Sequence, residues 1–196
     1  MKIEPQKLTL RKEIADAVRA LSPDYCRAAD DQICRHVAAS APFQKARTVL
    51  CYVGTQREID TRSLLETILH AGKTLAVPLC IKEGVMEARA VRSIDELCPG
   101  SFGILEPEPS AVFVSPESID LAIVPCCTGN ERGERLGYGG GYYDRYLLQT
   151  HCPTMLLCRD AIRREAIPVE AHDLRMEYFV SERGCIHCCD SEMCSY

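Results

Sequence analysis

Between residues 48 and 78 the chain passes from a continuous apolar run to a helix-periodic stretch and back to an apolar run. Thr48-Val49-Leu50-Cys51-Tyr52-Val53 has no polar face, and Gly54 ends it. Residues 61–70 place Leu64, Leu65, Ile68 and Leu69 at helical spacing, with Gly72 as a stop signal. Thr74 to Pro78 is the next apolar strand. A strand that is apolar on both sides must be covered on both sides. A helix between two such strands makes them parallel through a right-handed crossover.

The rest of the chain repeats this alternation. Residues 7–21 put Leu10, Ile14, Val18 and Leu21 on one helical face. Ser22-Pro23-Asp24 then supplies a capping serine, a proline at the first helical position and an acid, so a second helix runs to about Ala39 on Cys26, Ala29, Ile33 and Val37. Cys80-Ile81-Lys82 and Val85 to Val91 flank Gly84 as a hairpin on one edge, and residues 93–97 read as a short helical turn. Leu121 to Pro125, Thr154 to Leu157 and Glu177 to Ser181 are further strands. The expected fold is α/β: a single three-layer α/β/α domain over residues 1–184, with a mostly parallel sheet and an edge hairpin. Residues 185–196 are expected to be a flexible, Cys-rich tail.

A chain of 196 residues can bury one substantial core, and its net charge of −5 leaves no electrostatic footprint for nucleic acid. No apolar run reaches membrane-spanning length, and the polar start MKIEPQKLTLRKEIAD does not read as a secretory leader. The thirteen cysteines are odd in number and scattered. Cys26, Cys34, Cys51, Cys80 and Cys158 fall in apolar patterns as small buried hydrophobes, which suits a reducing cytoplasm. Cys185, His187, Cys188, Cys189 and Cys194 have spacings that could hold zinc or iron, but no second well-spaced pair accompanies them, so a terminal peptide is the simpler reading.

Chemistry concentrates in RLGYGGGYYDR, residues 135–145. Gly137, Gly139, Gly140 and Gly141 offer backbone N–H groups with no Cβ in the way, so the loop can close on an anion. The residues after it turn helical, which would point a helix N-terminus at the same anion, and Asp144 in the first turn could hold magnesium there. No Lys-Ser or Lys-Thr follows the glycines, and Tyr142 stands where a dinucleotide fingerprint needs its third glycine. Taken alone, the glycines fit an ordinary turn before a helix equally well.

The whole string resembles the 5-formyltetrahydrofolate cyclo-ligase family, also called 5,10-methenyltetrahydrofolate synthetases. KLTLRKEIADAVRALSP, QREIDT at 56–61, FGILEP at 102–107 and IPVEAHDLRMEYFVSE at 167–182 are similar to other family blocks, in the family's order, from about residue 7 to residue 182. The resemblance implies an ATP- and magnesium-dependent ring closure of 5-formyltetrahydrofolate to 5,10-methenyltetrahydrofolate, with release of ADP and phosphate. Its partners would then be small molecules, with neither nucleic acid nor membrane, and the protein a monomer or weak homodimer.

Site residues follow from the same resemblance. Asp144 and Arg145 match catalytic positions. Lys7, Arg11 and the run Arg135, Leu136, Gly137, Tyr138, Gly139, Gly140, Gly141, Tyr142 and Tyr143 match the ATP-binding segment. Val53, Glu58, Tyr138, Gly139, Gly140 and Tyr142 match folate contacts, and Asp144 and Asp173 match two metal-associated carboxylates. As bare sequence, Lys7 and Arg11 are two solvated helix charges one turn apart, Glu58 a surface acid before a helix cap, and Asp173 a turn residue. Two segments depart from the family pattern. After Pro125 the family's Gly-Val-Ala-Phe-Asp becomes Cys126-Cys127-Thr128-Gly129-Asn130, and the glutamine expected near Ile162 is absent. Both are expected to border the folate side. Two alternatives therefore stand beside the enzyme: a non-catalytic nucleotide- or folate-binding relative, and an ATP-using enzyme for another pterin or formamide.

Overall fold

The computed structural model of the chain describes residues 3–188. Helix α1 (Ile3–Ala20) begins four residues before the expected start. Helix α2 (Pro23–Ala39) opens as its sequence dictates, with Ser22 Oγ accepting the Tyr25 N–H at 3.2 Å and proline in the first turn. Ser40 repeats the device for the short α3 (Ala41–Lys45), accepting from Phe43 N at 3.3 Å. Strand β1 (Thr48–Cys51), helix α4 (Arg62–His70), strand β2 (Thr74–Lys82) and strand β3 (Val85–Val91) follow. Then come the small hairpin β4 (Leu97–Pro99) and β5 (Leu105–Pro107), β6 (Phe113–Val114) and β7 (Leu121–Val124). A second small hairpin, β8 (Thr128–Gly129) and β9 (Arg135–Leu136), leads to α5 (Tyr142–Leu147), β10 (Thr154–Leu157), β11 (Tyr178–Ser181) and β12 (Gly184–His187).

One eight-stranded sheet runs in the order β12-β11-β10-β7-β1-β2-β3-β6. The strands from β11 to β2 are parallel, and antiparallel strands close both ends. The hairpin β2–β3 is not outermost, because β6 pairs beyond it through Ala88↔Val114 and Arg89↔Phe113. β2 also runs past Pro78. That is tolerated because β1 pairs only with Thr74, Leu75 and Ala76, so no ladder on that side asks Pro78 for an N–H. At the other end β12 pairs with β11 from Tyr178↔His187 to Ser181↔Gly184. Residues 185–187 thus lie in the sheet, while residues 189–196 of the expected tail, Cys189 and Cys194 among them, lie outside the described residues.

Strand alternation separates two cores. Leu50, Ala76, Ala122, Leu156 and Phe179 point to the face covered by Ile14 of α1 and Tyr146 and Leu147 of α5. Val49, Leu75, Leu121, Ile123, Met155 and Val180 point to the opposite face, under Ile33 and Val37 of α2 and Leu64, Leu65 and Ile68 of α4. This is the three-layer arrangement that the apolar runs require. No helix among the described residues is long and apolar enough to cross a membrane.

The strand order also locates the site. From β1 the chain crosses to β2 on one side, and from β7, on the other side of β1, it continues to β10 and β11. The order therefore reverses between β1 and β7, and a crevice opens beyond their carboxyl ends.

Candidate functional site

The loop after β1 forms one wall of that crevice. At its base Gly54 N donates to Thr61 Oγ1 at 3.0 Å, and Thr61 Oγ1 donates to Tyr52 O at 2.7 Å. A Cβ at Gly54 would lie 1.9 Å from the Ile59 carbonyl oxygen, so only glycine lets the loop fold back on itself. Further along, Thr55 N donates to Glu58 Oε2 at 3.0 Å and Glu58 N to Thr55 O at 3.0 Å. Glu58 and Val53 line a cavity of about 450 Å³, together with Asp30, Arg62, Leu105 and Arg159.

The glycine-rich loop is the other wall. Leu136 of β9 is buried in the core and its carbonyl accepts from Cys127 N at 2.7 Å, so it fixes the start of the loop rather than exposing a side chain. Gly141 adopts φ +65° as the residue before α5, a conformation that costs other residues strain. Helix α5 has only six residues, so the backbone amides of the loop, more than a helix dipole, face any anion there. Arginines secure the loop. Arg11 Nε donates to Gly137 O at 2.9 Å, and Arg145 reaches Gly140 O and, at 2.7 Å, Gly84 O of the β2–β3 turn. Arg135 pairs with Asp144 Oδ1 at 2.6 Å, and Leu174 N donates to the same oxygen at 3.4 Å.

Three tyrosines of the loop differ in placement. Tyr138 is half exposed, with its hydroxyl donating to Cys126 O at 3.3 Å. The Tyr142 ring lies under Gly140, where a Cβ would meet it at 2.7 Å. Tyr143 is partly buried against both cores, and burial pushes its hydroxyl pKa well above the ordinary value. Its hydroxyl and Arg135 Nε are buried without a hydrogen-bond partner. Such groups cost on the order of 1–3 kcal/mol until something satisfies them.

Residues 170–174 lie beside the glycine-rich loop, joined to it by the Leu174 N–H on Asp144. Lys7, with its side chain only 7% exposed, pairs with Asp173 Oδ2 at 2.5 Å and Glu170 Oε2 at 2.9 Å, which is not the solvated helix charge of the bare sequence. Burial pulls the Lys7 pKa down, but its contacts with Asp173 and Glu170 outweigh it and the net shift is upward. Burial likewise pushes Asp173 up, but the hydrogen bonds it accepts from Lys7 and from the Glu170 N–H turn the net shift downward. Glu170, His172 and Asp173 form a group whose ligand atoms lie within 4.8 Å of one another. The Leu174 N–H contact places this segment against Asp144. Two carboxylates on neighbouring segments are the hard oxygen donors that magnesium takes alongside substrate phosphates, so Asp144 and Asp173 fit that ion.

The two departing segments meet each other. Thr128 Oγ1 donates to Ile162 O at 2.6 Å, Arg164 N to Gly129 O at 3.4 Å and Asn130 Nδ2 to Glu165 O at 3.1 Å. Asn130 is buried. Its Oδ1 accepts from Arg132 N and Glu134 N, while Nδ2 donates to Glu134 Oε2 at 2.8 Å, a donor that an aspartate would lack. Cys127 is also buried, and its thiol pKa is pushed up to about 12 by burial, so it is no nucleophile. Two participants had no readable role in the sequence: Glu170 beside Lys7, and the Arg159–Asp30 pair beside Glu58. Glu170 lies inside the similar block 167–182 and could have been found there.

A model of the 5-formyltetrahydrofolate cyclo-ligase family matches residues 3–182. The 5-formyltetrahydrofolate cyclo-ligase of Escherichia coli K12 is 30% identical over 169 residues, covering 83% of this chain and 93% of its own. The cyclo-ligase of Mus musculus is 25% identical and covers 92% and 95%. The NMR structure of Aquifex aeolicus 5,10-methenyltetrahydrofolate synthetase superposes with a TM-score of 0.82 at 26% identity, covering 97% of this chain and 96% of that one.

Proposed function

The chain belongs to the 5-formyltetrahydrofolate cyclo-ligase family, and we propose on that footing that it closes 5-formyltetrahydrofolate to 5,10-methenyltetrahydrofolate at the expense of ATP. The observation that carries this reading is the nearness of two loops beyond neighbouring strand ends: the Glu58 loop beyond β1 and the glycine-rich loop beyond β7, with Glu58 close enough to Tyr138 and Tyr143 for its charge to act on both hydroxyls. A formamide oxygen is a poor leaving group, so it is first phosphorylated by ATP. N10 of the folate then attacks the activated carbon, and phosphate departs. No protein nucleophile is needed, which agrees with buried, unactivated thiols at the site.

The protein's part is alignment and charge. Amides of residues 137–143 and the side chains of Lys7, Arg11 and Arg135 receive the phosphates, and Arg135 Nε and the Tyr143 hydroxyl gain the partners they lack. Arg145 braces the loop against Gly84 and sets its guanidinium beside the transferring group. Asp144 and Asp173 would hold magnesium, which supplies Lewis-acid stabilisation of the transferring phosphoryl. Glu58, its Oε2 held by Thr55 N, accepts from the amino-pyrimidine edge of the pterin, with Val53, Tyr138 and Tyr142 as apolar and aromatic walls and Gly139 and Gly140 beneath. Orienting two reactants in this way can supply on the order of 7–11 kcal/mol. The cysteines of the described residues are all free, which suits a reducing cytoplasm, and the reading requires no more than a monomer or weak homodimer.

Purified protein with MgATP and 5-formyltetrahydrofolate should form the conjugated methenyl product, read by near-ultraviolet absorbance, with ADP in equal amount and neither without metal. ATP binding with no folate binding would favour the non-catalytic relative, and folate-independent ADP release an enzyme of another pterin or formamide.

A further inference from the structure

Arg159 is the least exposed charged residue among the described residues, at 3%, and its partner Asp30 of α2 is buried at 6%. The pair is bidentate: Arg159 Nε to Asp30 Oδ1 at 2.7 Å and Nη2 to Asp30 Oδ2 at 2.8 Å. Neither member spends all its capacity on the other. Arg159 Nη2 also donates to the Glu58 carbonyl at 2.7 Å, and Asp30 Oδ2 accepts the Asp60 N–H at 2.9 Å. The Thr61 contacts tie the loop only at its base, and the Thr55–Glu58 contacts are internal to it. Next to Glu58, Ile59 is buried in the core and the Cys34 thiol of α2 donates to Asp60 O at 3.7 Å. The charged contacts of this part of the loop run through the Arg159–Asp30 pair, which joins α2 to the end of β10.

A buried pair of this kind gains little stability over apolar packing, because desolvation offsets the attraction. What it provides is geometry, since a planar guanidinium fixes two acceptors at set directions as a lysine cannot. We infer that Arg159, seated on Asp30, is a positioning residue that sets the Glu58 carboxylate for the pterin and so governs selectivity on the folate side alone. The inference rests on the cyclo-ligase reading for its substrate, but not for its structural claim. It also gives a purpose to one departing segment: Arg159 stands at its head and reaches Glu58 directly.

The test uses Arg159→Lys, Arg159→Gln and the double variant Asp30→Asn/Arg159→Gln, each against the unaltered full chain. Three readings are taken: steady-state kinetics for each substrate, thermal midpoint, and hydrogen exchange of the Thr55 and Glu58 amides. Arg159→Lys should lower kcat/KM for 5-formyltetrahydrofolate on the order of 10²-fold while the KM for ATP stays within about twofold. The Thr55 and Glu58 amides should lose protection. The double variant, free of a buried lone charge, should regain much of the thermal midpoint lost by Arg159→Gln yet keep the folate defect and the unprotected loop. Recovery of folate kinetics together with stability in the double variant would reduce Arg159 to a counter-charge and overturn the inference. So would full protection of the loop amides in a folded Arg159→Lys protein. If the unaltered chain does not cyclise folate, the cyclo-ligase reading fails by itself, and the exchange data alone decide whether Arg159 holds the loop.

Discussion

The two loops beyond β1 and β7 are held in opposite ways. The glycine-rich loop is gripped by arginines, Arg145 on Gly140 O and Arg135 on Asp144 from its own flanks and Arg11 of α1 on Gly137 O. Arg145 is exposed, so its carbonyl contacts can be exchanged for phosphate oxygens, and Arg135, though buried, keeps an unsatisfied Nε for a new acceptor. The Glu58 loop is anchored instead on the buried Arg159–Asp30 pair, and breaking such a pair costs about 3–5 kcal/mol. One wall is therefore charge-rich and ready to trade partners, and the other is set before substrate arrives. A triphosphate binds by charge and tolerates adjustment, whereas a planar pterin edge needs an acceptor at a fixed place.

The comparison is most sharply tested at Asp144, which serves the exchangeable wall. Asp144→Asn keeps the side-chain shape but removes the charge opposite Arg135 and, on the proposed reading, one hard ligand for magnesium. Turnover should fall about 10²–10³-fold, the usual scale for losing one group that stabilises transition-state charge. The magnesium dependence should move to higher concentration, with the circular-dichroism spectrum and the folate KM little changed. Normal kinetics in the folded variant would take Asp144 out of the mechanism and leave the charge-rich wall without its organising acid.

Gly54→Ala attacks the preset wall. The added Cβ would sit 1.9 Å from Ile59 O, so the loop must open. A destabilisation of about 1–3 kcal/mol is expected from such overpacking, with KM for 5-formyltetrahydrofolate raised and KM for ATP unaltered. Equal changes in both KM values would show that the two walls do not act separately.

The charged wall was readable in the sequence because its parts are contiguous. Residues 135–145 carry the glycines, the acid and two arginines in one string, and strands such as Leu121–Val124 announce themselves as unbroken apolar runs. The preset wall was not. Asp30 and Arg159 are 129 positions apart, and each alone reads as a surface charge. Strands β6, β8 and β9 are two residues long, too short for any period to show. β12 was hidden by its cysteine and histidine, which read as part of a flexible terminal peptide. Only pairing with β11 makes Gly184–His187 a strand. Local chemistry is legible where neighbours in sequence are neighbours in space, and it fades where the sheet does the joining.

The link between the walls and the N-terminal helix predicts a pH effect. Asp173 has a depressed pKa in the folded state, so its contribution to stability is present above the unfolded carboxylate value near ~3.9 and is lost as pH falls through the lower folded value. Lys7 has a raised pKa, so its contribution is complete below about 10.4 and is lost as pH rises through the higher folded value. In Lys7→Met the alkaline loss should disappear, and the acid loss should start at a higher pH because Asp173 keeps only the Glu170 N–H and the His172 charge to hold it down. Urea unfolding between pH 2 and 11 reads both limbs. Unchanged limbs would mean that Lys7 does not pair with Asp173 in solution.

The smallest effect is expected where neither wall reaches. The family match ends at residue 182, β12 ends at His187, and Cys188 N still donates to Glu177 O at 2.7 Å. Truncation after residue 188 should therefore leave cyclisation and both KM values unchanged. Truncation after residue 183 removes β12, exposes the ladder of β11 and uncovers Val180 and Phe179, which belong to the two opposite cores. That protein should lose thermal stability and gain a tendency to associate through its open edge, while retaining the ratio of folate to ATP KM, because β11 carries no site residue. Loss of activity with bound zinc or iron released on the shorter cut would instead give the cysteine-rich end a place in the mechanism, as a third region beside the two walls.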